Sequence, residues 1–430
     1  MQLRPYHMAN MFRAIASKNF EPFGQLRLEF PPVPDKPENL AEVHLFTGVN
    51  GTGKTRILSV LSAMLGNTKH LLKRMKGGQS SSIYATSRFP ATDNFERWGS
   101  YLVAGPTSVG WQHVGGDFIQ KHQEIPAFAY SGYAYVTDAP VSAMGAVQKP
   151  DRNECLSFNR PEQSSHLLLQ AVTNLLFEAA VDSLNVSPES TTHSRSARLV
   201  KLLEATIFEI TGTKFQFRIE KFPQISLFVV WGKNKLPFDV LPDGLRAIIG
   251  WLVHALVMMD VWLQGQKDPT DVEAIFLLDE IESHLHPAWQ RKILPAFQRL
   301  FPKSQIFVAT HSPFVIASLN HGWIHSLKME ANGQVIVEKP KAASKGDSYI
   351  SVVEEIMGVK EWFDPETEKL LKKFRSERDL IYGEKTPEER VTLFESVKKL
   401  ALEISSRSEE LGFIMGKELN QLERHLAKGT

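Results

Sequence analysis

The stretch GVNGTGKT, residues 48–55, fits the pattern G-x-x-x-x-G-K-[ST]. It follows a short apolar strand, VHLFTG (43–48), and leads into Thr55–Leu65, whose apolar residues have helical spacing. Glycines let backbone N–H groups converge on phosphate oxygens without Cβ clashes, and the positive end of the following helix faces the same anion. The sequence therefore predicts a strand, a phosphate-binding loop and a helix within an α/β domain.

The residues of this loop are expected to hold the phosphates of ATP. In loops of this pattern the lysine, here Lys54, reaches the β- and γ-phosphates, and the next hydroxyl, here Thr55, ligates Mg²⁺. We therefore expect ATP and Mg²⁺ as cofactors. The predicted nucleotide-binding residues are Gly48, Asn50, Gly51, Thr52, Gly53, Lys54 and Thr55.

Two adjacent acids end a second apolar strand, AIFLLDE at 274–280. Such a run is typical of a central strand that is buried on both faces. Open α/β sheets bind ligands outside the carboxyl ends of their strands, so both acids are expected at the site. We predict that Asp279 holds Mg²⁺ and that Glu280 activates the attacking water.

A third strand, in QIFVATHSP at 305–313, ends in Thr310 and His311. A lone histidine at a strand end is more often structural than functional. This one ends the next predicted strand after Glu280, which favours a position at the same edge of the sheet. We predict that His311 contacts the γ-phosphate and acts with Glu280 in catalysis.

These three segments, in this order, resemble the ABC-type ATPases of the RecF, SMC and OLD group. The D-E-x-E-x-H-L-H-P pattern in LLDEIESHLHPAWQ (277–290) is characteristic of the small RecF-like members, many of which are found in bacterial defence systems. The resemblance implies an ABC-type head with a helical insertion and a C-terminal helical domain. It also implies that the loop 282–286, beginning at Glu282, crosses a dimer interface.

The stretch LPDGLRAIIG, residues 241–250, lies where this family places its signature motif. The usual form is L-S-x-G, and Pro242 replaces the serine here. Asp243 can cap the helix, and Gly244 lets backbone N–H groups approach an anion. The resemblance implies contact with the γ-phosphate bound by the opposite subunit, and a plain helix start is the alternative. Arg246 is either a further phosphate or interface contact or a solvated side chain.

The family's glutamine loop has two candidates between the glycine-loop helix and the IPAFAY strand. Gln112 and Gln120 both fall there, and the sequence does not separate them. The histidines of ESHLHP (282–287) do not indicate a metal site, because no cysteine or third histidine lies nearby.

Composition limits what else the protein does. The chain has 430 residues, 43% of them apolar, and a formal net charge of +1. Nucleic-acid contact would therefore need a local basic patch. The single cysteine, Cys155, excludes an intramolecular disulfide and suits a reducing compartment. Neither a signal peptide nor a long charge-free apolar run is evident, so we expect a cytoplasmic protein without a membrane segment.

The pattern along the chain predicts four parts. Residues 1–138 form the N-terminal ATPase lobe with the glycine loop, and 139–235 form an insertion of helices and strands. Residues 236–346 form the C-terminal ATPase lobe with the signature, the acids and the histidine, and 347–430 form a helical domain. The insertion has no long heptads, which excludes an SMC-style arm.

The C-terminal region has apolar residues every three or four positions and a rising share of charge. It lacks the D-x-D that marks the nuclease domain of OLD-type proteins, so the chain is not expected to be a nuclease itself. It resembles the helical ends of RecF-like defence ATPases such as PtuA of Septu systems, which work with a separate HNH nuclease. The apolar stripes are interpreted as a self-contained bundle, a docking platform for a partner, or both.

Together these expectations describe an ATP-driven switch. We expect a homodimeric ATPase unit, alone or within a higher oligomer, that controls an effector, by family analogy a nuclease. The alternative is a RecF-like DNA-repair or DNA-end-binding ATPase that acts directly on nucleic acid. KHLLKRMK (69–76) and HSRSAR (193–198) are the basic stretches that would contact phosphates, although solvated faces are the simpler interpretation.

Overall fold

The computed structural model of the chain describes residues 11–73, 81–86, 100–104, 109–113, 125–133, 136–158, 163–185, 194–221, 224–343, 349–359, 361–383 and 387–428. The chain divides into two compact units, Met1–Met357 and Gly358–Thr430. The finer division into four parts remains a prediction.

The first unit contains a largely parallel sheet, to which every segment of the predicted ATP site is attached. Its strands, in chain order, are β1 Ala14–Phe20, β2 Gly24–Glu29, β3 Glu42–Gly48, β4 Ser81–Thr86, β5 Ser100–Ala104, β6 Val109–His113, β7 Ala127–Ser131, β8 Phe215–Glu220, β9 Ser226–Trp231, β10 Asn234–Leu236, β11 Ile275–Asp279, β12 Gln305–Ala309, β13 Trp323–Met329, β14 Val335–Val337 and β15 Lys341–Ala342. The parallel sheet has the order β14-β13-β3-β12-β11-β7, with antiparallel β14 and β15 on β13. Two antiparallel sheets have the orders β2-β1-β4-β5-β6 and β10-β9-β8.

Helices follow several of these strands. They are α1 Lys54–Met64, α2 Lys69–Leu72, α3 Arg152–Cys155, α4 Gln163–Asn185, α5 Arg195–Thr211, α6 Asp243–Ile248, α7 His254–Trp262, α8 Pro287–Leu300, α9 Pro313–Ser318 and α10 Tyr349–Ser351. A π-helical segment, Ile249–Val253, joins α6 to α7, and another, Val352–Ile356, follows α10.

Strand β11 shows why the parallel sheet is buried on both faces. Its residues Ile275, Phe276, Leu277 and Leu278 are all fully buried. Because side chains alternate along a strand, Phe276 and Leu278 pack in one apolar cluster, and Ile275 and Leu277 pack in another. Each such side chain stabilises the fold by about 1.5–3 kcal/mol, so the strand that carries the two acids is held firmly.

The register of the parallel strands brings their carboxyl ends to one edge. Asp279 of β11 is paired with Ala309 of β12, and Ala309 is paired with Phe46 of β3. The loops after β3, β11 and β12 therefore leave the sheet side by side. This is the arrangement that the three sequence segments predicted.

The apolar runs at 125–136 and 243–263 predict a strand and a helix, and the structure corrects the extent of the first and the form of the second. The strand predicted over 125–136 is only Ala127–Ser131. The helix predicted over 243–263 contains the π-helical segment Ile249–Val253. Residues 76–124 had no clear period, and their described parts form strands β4, β5 and β6 of the antiparallel sheet.

The second unit is helical, as predicted. It consists of α11 Pro365–Ile381, α12 Pro387–Ser405 and α13 Glu409–Lys428. Asp364 caps α11 by accepting the N–H groups of Glu366 and Thr367, which stabilises the start of the helix. The predicted apolar stripes meet in a cluster that includes Leu371, Phe374, Val397, Leu411, Met415 and Leu422. The helix that the apolar spacing predicts over 348–358 is present as α10 and the π-helical segment Val352–Ile356, but it belongs to the first unit.

Two helical runs of the described chain are long and apolar enough to cross a membrane, judged by length and composition alone. They are Ser165–Leu184 and Asp243–Trp262. In the second, 89% of the window is buried inside the fold, as in the core helix of a globular domain.

Candidate ATP site

The glycine loop between β3 and α1 has a backbone that requires glycine at two positions. Gly53 has φ of 88°, and a Cβ there would lie 2.6 Å from the ring of Phe23. A Cβ on Gly48 would lie 2.3 Å from the carbonyl oxygen of Leu327. Helix α1 begins at Lys54, as predicted, so its positive end faces the loop.

The ammonium group of Lys54 lies against the loop. Its Nζ donates to the carbonyl oxygens of Gly48 at 2.9 Å and Val49 at 3.2 Å. Burial lowers the pKa of Lys54 to about 8, although the nearby charges of Glu280 and Asp279 act in the opposite direction. A bound anion would stabilise the charged form of this lysine further.

Thr55 and Asp279, the two predicted Mg²⁺ ligands, contact each other. The Thr55 hydroxyl donates to Asp279 Oδ1 at 3.0 Å. Thr55 lies in the first turn of α1 and Asp279 at the end of β11, so two separate elements bring these oxygens together. Hydroxyl and carboxylate oxygens are donors that Mg²⁺ prefers, and the pair therefore fits a magnesium site.

Glu280 and His311, the two predicted catalytic residues, follow neighbouring parallel strands. Glu280 has a left-handed backbone, φ 51°, and its N–H donates to the carbonyl of Ala309 at 2.9 Å. His311 Nε2 lies 3.9 Å from Glu280 Oε1. Burial and the charge of Lys54 lower the pKa of His311, so its ring is neutral near pH 7.

Lys54, Thr55, Glu280 and His311 line one cleft of about 590 Å³, and Asp279 adjoins it through its contact with Thr55. Two residues of the predicted nucleotide-binding set lie outside the lining. Gly48 contributes its carbonyl to Lys54, and the hydroxyl of Thr52 donates to the carbonyl of Val49 at 2.9 Å. The lining residues are Pro22, Asn50, Gly51, Gly53, Lys54, Thr55, Arg56, Glu280 and His311.

Pro22 and Arg56 of this lining were not predicted. Pro22 lies in the turn between β1 and β2. No local sequence pattern indicates that this turn contacts the glycine loop. Arg56 directly follows the motif, and this adjacency was the available signal. Its guanidinium donates to the carbonyl of Glu21, which ties α1 to the same turn.

Gly132 is a further residue that the sequence did not single out. A Cβ at this position would lie 1.9 Å from the carbonyl oxygen of Glu280 and 2.9 Å from the Cβ of Ser283. Its N–H donates to the carbonyl of Asp279 at 3.0 Å. The end of β7 therefore supports the loop that carries Glu280, and only glycine permits this close approach.

Glu282, the predicted dimer-loop residue, is buried in its own chain, and its place at a dimer interface stays a prediction. It is only 7% exposed, and its carboxylate accepts the Thr310 hydroxyl and, at 3.2 Å, the His311 N–H. Its carboxyl group points into its own chain. The exposed positions of the loop are instead His284 and His286.

The signature stretch 241–246 adds nothing to the lining of the cleft in its own chain. Pro242, not Asp243, is the N-cap of α6, which corrects the predicted cap. The cap takes φ of −54°, which suits a proline ring, and Asp243 becomes the first helical residue. The Nη1 atom of Arg246 lies 3.7 Å from Oδ1 of Asp243, and its Nε donates to the carbonyl of Val136 at 3.2 Å. Arg246 is therefore held within its own chain rather than simply solvated.

Gly244 packs against the loop that follows the acids. A Cβ on it would lie 3.0 Å from the carbonyl oxygen of His284 and 3.2 Å from Cζ3 of Trp289. Substitution of Gly244 would therefore disturb packing in its own chain. The exposed Pro242 is the better position at which to probe the signature.

The two glutamine candidates remain unresolved as functional residues. Gln112 lies on β6, at the far edge of the antiparallel sheet. Gln120 lies outside the described residues.

Comparisons with known proteins agree with an ATP site. The family described as "AAA domain, putative AbiEii toxin, Type IV TA system" matches residues 146–317, which include both acids and His311. Septu protein PtuA of Bacillus thuringiensis is 22% identical over 374 residues, covering 84% of this chain and 88% of its own. A retron Ec83 ATPase of Escherichia coli is 27% identical over 217 residues, covering 50% of this chain and 38% of its own.

The chain is homologous to Septu PtuA and to the retron ATPase, and it is an ATPase. It binds nucleotide and hydrolyses ATP. Among solved structures, an SMC head bound to the C-winged helix domain of ScpA aligns over 77% of this chain and 97% of that chain, with 13% identity and a TM-score of 0.43. The recombination mediator RecF aligns over 76% of this chain and 98% of that chain, with 11% identity and a TM-score of 0.40.

Proposed function

We propose that this ATPase is the switch subunit of a bacterial anti-phage defence complex and acts in the cytoplasm. Two subunits enclose two ATP molecules, ATP keeps the pair closed, and hydrolysis opens it. The similarity to PtuA over most of both chains supports the defence setting. The observation that carries the proposed chemistry is the 3.0 Å contact between Thr55 and Asp279 beside Lys54.

Each residue of the cleft then has a task. Lys54 and the backbone N–H groups of 50–55 bind the phosphates, and Thr55 and Asp279 would hold Mg²⁺, which neutralises phosphate charge. Glu280 accepts a proton from the attacking water, and His311 contacts the γ-phosphate. Phosphoryl transfer depends mainly on such positioning and neutralisation.

The signature stretch would complete the site of the opposite subunit. Pro242 and Asp243 are exposed, and the side chain of Asp243 has 67% of its surface accessible. The first N–H groups of a helix lack intrahelical partners and are suited to an anion. We place these groups of α6 on the γ-phosphate that the second copy binds, which makes the homodimer the functional unit, alone or within a higher oligomer.

The second unit would receive the effector. Its helices bury their own apolar cluster but leave Val391, Leu402 and Phe413 more than 60% exposed. Val391 and Leu402 lie about three turns apart on one face of α12. By resemblance to Septu systems, the proposed partner is a separate nuclease such as an HNH protein.

Direct action on DNA is the weaker candidate. In the basic stretch 193–198, the two arginines form ion pairs within the chain. Arg195 pairs with Asp260, and Arg198 pairs with Asp268 at 2.6 Å. Charges neutralised in this way contribute little to a phosphate-binding patch. The stretch 69–76 lies partly outside the described residues.

The proposal can be tested by measuring the mass of the full chain with and without Mg²⁺–ATP. Pro242→Asp keeps a favoured helix cap but adds a charge that repels a phosphate, and Pro242→Ser restores the usual residue of the family. We expect ATP to convert wild type and Pro242→Ser to a dimer-based mass. Pro242→Asp should bind ATP within about 3-fold of wild type yet stay unassembled. A mass that ignores ATP in all three proteins, while ATP binds, would contradict the switch.

A further inference from the structure

Buried side chains connect the loops that carry Glu280 and His311. We define the acid loop as Glu280–Leu285 and the histidine loop as Thr310–Ser312. The Oε1 atom of Glu282 accepts the Thr310 hydroxyl and the His311 N–H. Thr310 Oγ1 in turn accepts the N–H of Ser312 at 2.9 Å. One carboxylate oxygen thus fixes two consecutive residues of the histidine loop.

Gln290, in the first turns of α8, makes a second connection. Its Oε1 accepts the Ser312 hydroxyl at 2.6 Å, and its Nε2 donates to the carbonyl of Leu285 at 2.9 Å. Ser312 also caps α9 by accepting the N–H groups of Phe314 and Val315. The two loops are therefore joined at two points of the acid loop, at Glu282 directly and at Leu285 through Gln290.

Packing alone does not explain an acid at position 282. Within the described part of the chain, Glu282 Oε2 is buried and has no hydrogen-bond partner. Burial raises the pKa of Glu282, and Glu280 acts in the same direction. A buried acid with one unpartnered oxygen is destabilising, so a residue kept for stability alone would be apolar or fully paired.

We propose that Glu282 is a positioning residue for ATP hydrolysis, because its carboxylate holds the Thr310 side chain and the His311 backbone and so fixes the distance between His311 and Glu280. This inference rests on the proposed roles of those two residues. His311 and Glu280 lie 3.9 Å apart on separate loops, and no direct hydrogen bond keeps that distance. Movement of His311 towards or away from a γ-phosphate would pull on Glu282 and, through it, on the exposed loop positions His284 and His286.

The test compares Glu282→Ala, Glu282→Gln and Thr310→Val in steady-state ATP hydrolysis and in ATP binding by a fluorescent analogue. Because misplaced reacting groups slow chemistry, we expect kcat of Glu282→Ala and Thr310→Val to fall about 10- to 100-fold. ATP affinity should change less than about 3-fold, since the phosphate-binding residues are untouched. Glu282→Gln keeps an acceptor oxygen and should recover most of the lost kcat.

A double variant separates positioning from general destabilisation. If Glu282 acts through Thr310, Thr310→Val combined with Glu282→Ala should lose little more than either single change. The inference would be overturned if the double variant lost kcat by the product of the two single factors. It would also be overturned if kcat and ATP affinity fell equally and Glu282→Gln did not recover kcat. The exposed Glu354→Ala is the matched control and should behave as wild type.

Glu280→Gln in the same assay separates the proposed catalytic roles from the positioning role of Glu282. If Glu280→Gln retains wild-type kcat, the proposed catalytic roles are wrong. If Glu280→Gln is inactive while Glu282→Ala is fully active, those roles stand and only the positioning role of Glu282 is overturned.

Discussion

The cleft at the glycine loop and the signature stretch 241–246 are two parts of one proposed site, but they differ in what completes them. In the cleft, Lys54, Thr55 and Asp279 already contact partners in their own chain. In the signature stretch, Pro242 and Asp243 are exposed and reach no part of that cleft. The first part is assembled by folding, whereas the second would gain its ligand only when another chain arrives.

This contrast predicts two classes of variant. Changes in the cleft should weaken ATP binding to a single chain, or stop hydrolysis even when a partner with an intact signature is present. Changes at the exposed signature should leave binding intact and affect only assembly and the turnover that depends on it. The following predictions run from the largest expected effect to the smallest.

The largest effect is expected for Lys54→Ala, because this change weakens ATP binding and, as a consequence, also lowers hydrolysis. Removing the cation that faces the β- and γ-phosphates should weaken ATP binding by about 100-fold, because charge-assisted contacts to phosphate are among the strongest polar interactions. Titration with a fluorescent ATP analogue measures this directly. The exposed Lys369→Ala is the control and should bind as wild type. Unchanged affinity in Lys54→Ala would mean that the cleft is not the phosphate site.

Glu280→Gln should reduce turnover with little change in binding. A positioned general base contributes a factor of about 100 or more, so kcat should fall by about 100- to 1,000-fold. The ATP-bound dimer should accumulate, because its opening depends on hydrolysis. Glu354→Gln, a change of the same kind at an exposed position, should leave kcat unaltered. Release of phosphate in a single turnover provides the measurement.

Gly132→Ala should have an intermediate effect. Its new methyl group would meet the carbonyl of Glu280 at 1.9 Å, so the acid loop must shift. We expect kcat to fall about 10-fold and stability to fall by about 1–3 kcal/mol. Gly416→Ala is the matched control, since nothing lies within 4 Å of a Cβ there. Equal activity of both variants would show that the acid loop tolerates displacement.

A smaller effect concerns the buried support of β3, the strand that leads into the glycine loop. The Nδ1 atom of His44 in β3 lies 3.2 Å from Nε2 of His325. The Nε2 atom of His44 lies 3.1 Å from Oε1 of Glu42. Burial lowers the pKa of both histidines, most strongly for His325. The folded chain thus keeps them neutral where the unfolded chain takes up protons, below about pH 6.5.

The free energy of unfolding should therefore decrease as the pH falls from 7 to 5, by at most about 1.4 kcal/mol per pH unit for each histidine. Denaturant unfolding followed by tryptophan fluorescence gives the slope. His325→Asn keeps a hydrogen-bonding group but cannot titrate, so its slope should be shallower. The exposed Asn332→Gln exchanges one side chain that cannot titrate for another, so it is the control and should leave the slope unchanged. Identical slopes in all three proteins would show that the buried His44–His325 pair does not cause the pH dependence of stability.

The parts of this site that the sequence predicted all lie at the ends of strongly patterned segments. The glycine loop, Asp279, Glu280 and His311 each follow an apolar strand, and the parallel sheet brings such ends together by rule. The local sequence pattern, together with the rule that parallel strands end at one edge of a sheet, was enough to predict these positions. The helical second unit was predicted for a similar reason, because its apolar residues keep the helical period.

The parts that escaped prediction depend on contacts between distant segments. Nothing near Gly132 in the sequence shows that it meets the Glu280 carbonyl, and nothing near Glu282 shows that its carboxylate turns towards Thr310. Pro22 reaches the cleft through a turn that is distant in the chain. Strands β4 to β6 lacked a period, and they are defined by successive pairing, β4 with β1, β5 with β4 and β6 with β5. Tertiary contacts, rather than local preference, determine such positions.

The most direct test of the two-chain site is a mixing experiment with two inactive variants. Lys54→Ala lacks a working phosphate loop but keeps its signature, and Pro242→Asp lacks a working signature but keeps its loop. In a mixed dimer one site receives both intact halves, so an equal mixture should recover about a quarter of wild-type ATP hydrolysis if the subunits exchange freely. Hydrolysis that never exceeds the sum of the separate variants would contradict the claim that each ATP is completed by a second chain.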